Sequence, residues 1–102
     1  AALLHTAWLQ KEVKHVNRWR QIMFKNFVEM KIATNIGNAN FLLINFNKVK
    51  ISSKRVFELL AKFGILVRQM KVYGITNSLR VTIGKTNENK KILIMLRKIL
   101  NV

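Results

Sequence analysis

The chain has 102 residues, which is enough for one domain with a modest hydrophobic core and excludes a second complete domain. It has no cysteine, which excludes disulfides, thiolate metal sites and cysteine nucleophiles and predicts a reducing, cytoplasmic location. Its 19 Lys and Arg residues against 4 acidic residues give a formal net charge of +15 at pH 7. No apolar run approaches the roughly 20 residues that cross a bilayer, so we expect no membrane-spanning segment.

The positive charge allows two interpretations. A basic surface can bind nucleic acid through its phosphates, so a stand-alone nucleic-acid-binding module is one alternative. The basic residues are, however, scattered from Lys11 to Lys98 and accompany many Asn and Ile residues. Lys, Asn and Ile share codons rich in adenine and thymine, so the scatter favours a compositional bias. On that interpretation no nucleic acid is expected to bind.

The first predicted element is a long helix between residues 8 and 31, where apolar residues recur at spacings of three, four and seven. Its apolar stripe consists of Leu9, Val13, Val16, Met23, Phe27 and Met30. Arg20 falls within this stripe, and we expect its guanidinium to reach solvent or to pair with a neighbouring domain. His5 and His15 stand ten residues apart, so both are predicted to be solvated and no metal site is expected.

A turn-forming cluster at residues 35–39 ends this helix, because Gly and Asn tolerate left-handed backbone angles. Residues 40–46 (NFLLINF) then form a short apolar run that is typical of a strand buried on both faces, which predicts the central strand. Ser52 or Ser53 is placed to cap a second helix, and Gly64 is placed to end it. The apolar residues of that helix are Val56, Leu59, Leu60 and Phe63.

Two more extended segments are predicted at residues 65–68 and 79–83, and Gly84 closes the second of them. Thr86 is a predicted N-cap for a last helix, with Glu88 in its first turn. The order is helix, strand, helix, strand, strand, helix. This order predicts an α+β fold in which a small three-stranded sheet is covered by helices.

Two arginines stand out because apolar strands normally exclude charge. Arg68 ends the segment ILVR, and Arg80 lies within LRVTIG. A guanidinium presents a planar fork of donors that matches a carboxylate or a phosphate. The two arginines either converge on one anion or form surface ion pairs, and their spacing alone leaves both alternatives open. The four glutamates are placed as surface charges, so no acid–base pair is predicted.

The motifs also have a recognisable order. They are NRWR (17–20), ANFLL (39–43), VFELL (56–60), GILVR (64–68), YG (73–74), SLRVTIG (78–84) and EN (88–89). In order and spacing, along nearly the whole chain, they resemble the carboxy-terminal part of histidinol-phosphate aminotransferases. The resemblance implies a fold-type I enzyme in which a large domain holds pyridoxal 5'-phosphate. Residues 1–33 would be an interdomain helix and residues 34–102 the small domain that closes over the substrate.

The resemblance also implies roles for individual residues. Arg80 matches the family arginine that receives the anionic group of the substrate, and Arg68 matches the arginine that grips the phosphate of histidinol phosphate. Asn40 and Tyr73 match family positions, and we expect them to act only as local supports of the site. No lysine of the chain lies in a matching motif. The cofactor is therefore expected to bind to a large domain upstream of Ala1, and the chain alone is expected to be catalytically inactive.

The implied enzyme is a homodimeric, cytoplasmic transaminase of histidine biosynthesis. Its implied substrates are histidinol phosphate with imidazole-acetol phosphate, and glutamate with 2-oxoglutarate. Transaminases for aromatic and other amino acids share the LR-x-x-IG strand, so a fragment of one of these is an alternative. A stand-alone relic without activity is another.

Overall fold

The computed structural model describes residues 2–70 and 74–102, with side chains described from Leu9 onward. These residues form α1 (Ala2–Glu29), β1 (Phe41–Asn45), α2 (Ser53–Lys62), β2 (Arg68–Gln69), β3 (Ser78–Thr82) and α3 (Thr86–Leu100). The order of elements and the α+β class are those predicted from the sequence. None of the described helices is long and apolar enough to span a membrane.

The three strands form one antiparallel sheet in the order β1-β3-β2. The central strand is therefore β3, and the prediction that residues 40–46 form the central strand is wrong. Burial on both faces is also wrong, because Leu42 and Ile44 are buried while Phe41, Leu43 and Asn45 are only half-buried. An apolar run shows that a strand is partly buried, but the position of the strand in the sheet depends on pairing with distant residues.

One face of the sheet carries the hydrophobic core. Alternate residues of β1 and β3 point to this face and are almost completely buried, and all three helices contribute to the same cluster. The central residues of the core are Met23, Phe27, Leu42, Ile44, Leu60, Leu79, Val81 and Leu96. The opposite face carries Phe41, Leu43, Arg68, Arg80 and Thr82, which are half-buried or exposed. We call it the open face.

Helix α1 is longer than the core that it covers. Trp19, Met23 and Phe27 in its second half are buried, whereas Leu9 and Val13 in its first half are 44% and 58% exposed. The predicted apolar stripe thus contacts the core from Val16 onward. The first half presents an apolar strip that no described residue covers.

The predicted ends of α2 agree with the structure, whereas α1 begins at Ala2 rather than near residue 8 and α3 begins one residue earlier than predicted. Ser52 caps α2, and its hydroxyl accepts from the Arg55 N–H at 3.3 Å. Gly64 follows α2 with a φ of 76°, a left-handed angle that favours glycine. The N-cap of α3 is Lys85 rather than Thr86. The Glu88 carboxylate accepts from the Lys85 N–H at 3.0 Å, which places the first turn one residue earlier than predicted.

Candidate anion-binding site

Strand β3 places Arg80 on the open face, because Arg80 alternates with Leu79 and Val81, whose side chains enter the core. Arg80 is the register partner of Leu43 in β1 and of Arg68 in β2. Residues directly opposite each other in an antiparallel pair share a face, with Cβ atoms about 4.5–5.5 Å apart. The fold therefore brings the two arginines, twelve residues apart in the sequence, to one rung of the ladder.

Neither arginine forms an ion pair with a described residue. Among these residues the one salt bridge joins Arg97 to Glu29 at 2.7 Å, on the helices. Of the two alternatives that the sequence left open for Arg68 and Arg80, surface ion pairing thus finds no support in the described part of the chain. Like charges directly opposite each other on a sheet are destabilising. An anion between the two guanidinium groups would remove that repulsion.

The two arginines line a shallow cavity of about 240 Å³ together with Leu66, Val67 and Thr82. This volume is several times the roughly 30 Å³ that a water molecule occupies in the liquid, so a small anionic group fits. The Nε of Arg80 is buried and has no hydrogen-bond acceptor among the described residues. Leaving a buried donor unpaired costs about 1–3 kcal/mol, and more for a charged group, so the site is suited to receiving an acceptor.

The guanidinium of Arg80 also contacts an aromatic ring, since its Cζ lies 5.2 Å from the ring centroid of Phe41. The sequence patterns predict no role for Phe41. The contact of Phe41 with Arg80 could be predicted only from the strand register, because the two residues become diagonal neighbours once β1 and β3 are paired in this way. That register is a long-range property, and the sequence alone does not specify it.

Of the two predicted supporting residues, Asn40 and Tyr73, only Asn40 lies in the described part of the chain. Asn40 is exposed and lies directly before β1. Its carbonyl accepts from the Ile83 N–H at 2.8 Å, which extends the pairing of β1 and β3 by one step. Tyr73 lies outside the described residues.

Arg20 does not reach solvent, contrary to one of the two expectations for it. It is 9% exposed and donates three hydrogen bonds within the chain. Its Nε bonds the Ala39 carbonyl at 2.9 Å, one terminal nitrogen bonds the Asn38 carbonyl at 3.0 Å, and the other bonds the Asn17 side chain at 2.8 Å. Arg20 thus fastens α1 to the turn that leads into β1.

The prediction that His15 is solvated is also wrong. His15 is half-buried, and its Nε2 lies 2.8 Å from the carbonyl of Gly84, two residues after β3. Gly84 is held a second time by Asn89, which is 1% exposed. The Asn89 side chain accepts from the Gly84 N–H at 2.8 Å and donates to its carbonyl at 3.0 Å. The side chain of His5 lies outside the described part of the chain.

No described lysine has the surroundings of a Schiff-base lysine. A lysine that forms a Schiff base is activated by removal from water or by a nearby cation. Every described lysine has an exposed side chain. In the same residues no group of three His, Cys, Asp or Glu side chains could hold a metal ion. The opposed pair of arginines is suited to binding an anion.

Comparison with known proteins identifies the family of the chain. The family model described as aminotransferase class I and II matches residues 1–95, and the chain belongs to this family. A curated relative, the histidinol-phosphate aminotransferase of Pelagibacter ubique strain HTCC1062, is 36% identical over 101 residues. That match covers 98% of this chain but 28% of the relative.

Solved structures show the same fold at lower sequence identity. The histidinol-phosphate aminotransferase of Clostridium acetobutylicum superposes with a TM-score of 0.82 at 20% identity, over 94% of this chain and 29% of that chain. The aromatic aminotransferase of Pyrococcus horikoshii OT3 superposes with a TM-score of 0.74 at 18% identity, over 86% of this chain and 25% of that chain. The chain thus spans less than a third of the length of these proteins.

Proposed function

We propose that the chain is the carboxy-terminal, substrate-binding part of a transaminase that depends on pyridoxal phosphate. The proposed reaction is the transfer of an amino group between histidinol phosphate and 2-oxoglutarate in histidine biosynthesis. The observation that carries this proposal is the pair Arg68 and Arg80, opposed on the open face without a carboxylate partner among the described residues. The name and the coverage of the Pelagibacter relative support the choice of reaction.

The proposed protein divides the work between two domains. A large domain, upstream of this chain, holds the cofactor, which when bound supplies the electron sink for amino-group transfer. Residues 1–33 form the interdomain helix, and residues 34–102 form the small domain. The complete enzyme is a cytoplasmic homodimer. The exposed lysines of the described part agree with a cofactor site outside it.

In this proposal the arginines bind and orient the two substrates in turn. Arg80 receives the anionic group of either substrate, which is a carboxylate in the glutamate half-reaction, and Arg68 grips the phosphate of histidinol phosphate. A planar guanidinium binds either oxyanion through paired hydrogen bonds, which allows one site to accept both substrates. Because hydrogen bonds to charged groups contribute roughly 1.5–3 kcal/mol each, one arginine can account for a large part of the affinity.

The first test is the DNA sequence directly upstream of the codon for Ala1, translated in frame. An open frame through a large α/β domain with a lysine in a cofactor-binding context is the expected result. A stop codon or an unrelated start close to Ala1 would overturn the proposed activity and leave the chain as a stand-alone domain. The nucleic-acid alternative is not favoured by membership of the aminotransferase family.

The second test measures both half-reactions of the complete enzyme. Arg80→Ala is expected to lower kcat/KM about 10- to 100-fold with glutamate and with histidinol phosphate, because it removes the shared anion contact. Arg68→Ala is expected to lower kcat/KM by a similar factor with histidinol phosphate and by less than threefold with glutamate. Exposed Arg55→Ala on α2 is the control.

Small and equal effects of both arginine substitutions on both substrates would contradict the assigned roles. A complete enzyme that transaminates an aromatic amino acid and not histidinol phosphate would keep the reaction class and overturn the substrate.

A further inference from the structure

Phe41 and Arg80 are in contact on the open face although they are not register partners. Phe41 pairs with Thr82, and Arg80 pairs with Leu43, so the two are diagonal neighbours on adjacent strands. Diagonal neighbours are about 7–8 Å apart, a distance that aromatic and long side chains bridge. The observed 5.2 Å from Cζ to the ring centroid is within the roughly 6 Å range of a cation–π interaction.

The other neighbours of Arg80 on the ladder do not hold its guanidinium. Leu43, on one side, offers no acceptor from its side chain. Arg68, on the other side, carries the same charge and repels it. No described residue accepts a hydrogen bond from the buried Nε. Within the described part of the chain, the ring of Phe41 is thus the attractive contact that fixes the direction of this side chain.

We infer that Phe41 is a positioning residue that holds the guanidinium of Arg80 ready for an oxyanion. The inference rests on the proposed function, in which Arg80 receives the anionic group of the substrate. A carboxylate partner would occupy the N–H donors and cancel the charge of the guanidinium. An aromatic face attracts the cation through its quadrupole and leaves those donors free.

Positioning of this kind improves affinity without adding a contact to the ligand. A long, flexible side chain that becomes ordered on binding loses conformational entropy, and a preorganised side chain has lost it already. The stack on Phe41 therefore predicts that the ring affects anion binding although it does not touch the anion. Phe41 is half-buried, so substituting it also affects packing, and the test must separate the two effects.

Nuclear magnetic resonance of the 102-residue chain tests the stack. The Nε–Hε resonance of Arg80, identified by its loss in Arg80→Lys, is expected upfield of the other arginine resonances because a ring face shields nearby protons. Phe41→Leu should abolish this displacement, and Phe41→Tyr should keep it because the phenol ring offers the same face. Phe24→Leu removes a half-buried ring from α1 and should leave the Arg80 resonance unmoved.

Inorganic phosphate is the probe for binding, titrated into the same samples. Phe41→Leu is expected to bind phosphate roughly two- to tenfold more weakly than the unmutated chain, and Phe41→Tyr should restore the affinity. If the ring only supports packing, Phe41→Leu should lower the thermal stability. The Arg80 resonance should then not change in Phe41→Leu and return in Phe41→Tyr.

The outcomes separate the inference from the proposed function. An Arg80 resonance that is not displaced in the unmutated chain overturns the stack, and this measurement needs no substitution. A displaced resonance with equal phosphate affinity in Phe41→Leu overturns the positioning role while the anion site stands. A displaced resonance in a chain that binds no phosphate overturns the anion site that the proposed function requires, and the positioning role with it.

Discussion

At the scale of single residues, Arg20 and Arg80 show two different uses of a charge within an apolar pattern. Arg20 binds three oxygens of its own chain, so its charge stabilises the fold. Arg80 has an aromatic contact and a buried Nε without an acceptor among the described residues. The sequence marks both as exceptions but does not separate them, because two of the oxygens that bind Arg20 belong to Asn38 and Ala39, almost twenty residues away.

The role of Arg20 can be tested by its removal. Arg20→Ala is expected to lower the free energy of unfolding by about 2–3 kcal/mol, because it breaks charged hydrogen bonds to the turn before β1. Urea denaturation followed by circular dichroism measures this change. Arg18→Ala, at an exposed position of the same helix, should stay within about 0.5 kcal/mol of the unmutated chain. Equal effects of the two substitutions would show that the Arg20 contacts contribute little.

At the scale of elements, the junction between β3 and α3 is held by Asn89. Asn89→Ala leaves the Gly84 N–H without its side-chain partner and leaves the Gly84 carbonyl with His15 alone, at a position where Asn89 is 1% exposed. We expect a loss of about 2 kcal/mol in the free energy of unfolding, measured by denaturation. Asn87→Ala, which is exposed in the same first turn of α3, is the matched control. A loss at Asn87 as large as that at Asn89 would contradict the assignment.

The elements also show how far the sequence predicts the fold. Periodicity and caps predict the order of elements, because both depend on residues within a few positions of each other. The strand order does not follow from them. The longest apolar run became β1 at the edge of the sheet, whereas Arg80 and the other polar residues of β3 lie in its centre. The central strand β3 thus carries polar residues on the open face. A local sequence pattern cannot distinguish such a strand from an edge strand, which is often polar as well.

For the candidate site, too, the sequence predicts what depends on local patterns and not what depends on long-range pairing. Arg68 and Arg80 were predicted from charge in apolar segments, and they lie opposite each other because β2 and β3 pair in one register. The contacts of His15 and Phe41 cross from one element to another and were not predicted. The sequence thus identifies which residues are unusual for their surroundings, and the fold determines which of them meet.

At the scale of the whole molecule, two features have opposite effects on self-association, namely the exposed first half of α1 and the net charge of +15. The apolar side chains of Leu9 and Val13 favour association, and in the proposed enzyme the large domain covers them. Repulsion between two copies of charge +15 opposes association until salt screens it, and the Debye length falls from about 30 Å at 0.01 M to about 3 Å at 1 M.

The chain on its own is therefore expected to self-associate more as salt is raised, and sedimentation equilibrium measures this directly. Leu9→Gln combined with Val13→Gln should keep the chain closer to a monomer at high salt, because it removes the apolar strip without changing the charge. Ile94→Gln, at a position 55% exposed on α3, should leave association unchanged. A chain that stays monomeric at high salt would show that the strip is too small to drive association. Association that weakens with salt would instead indicate electrostatic contacts.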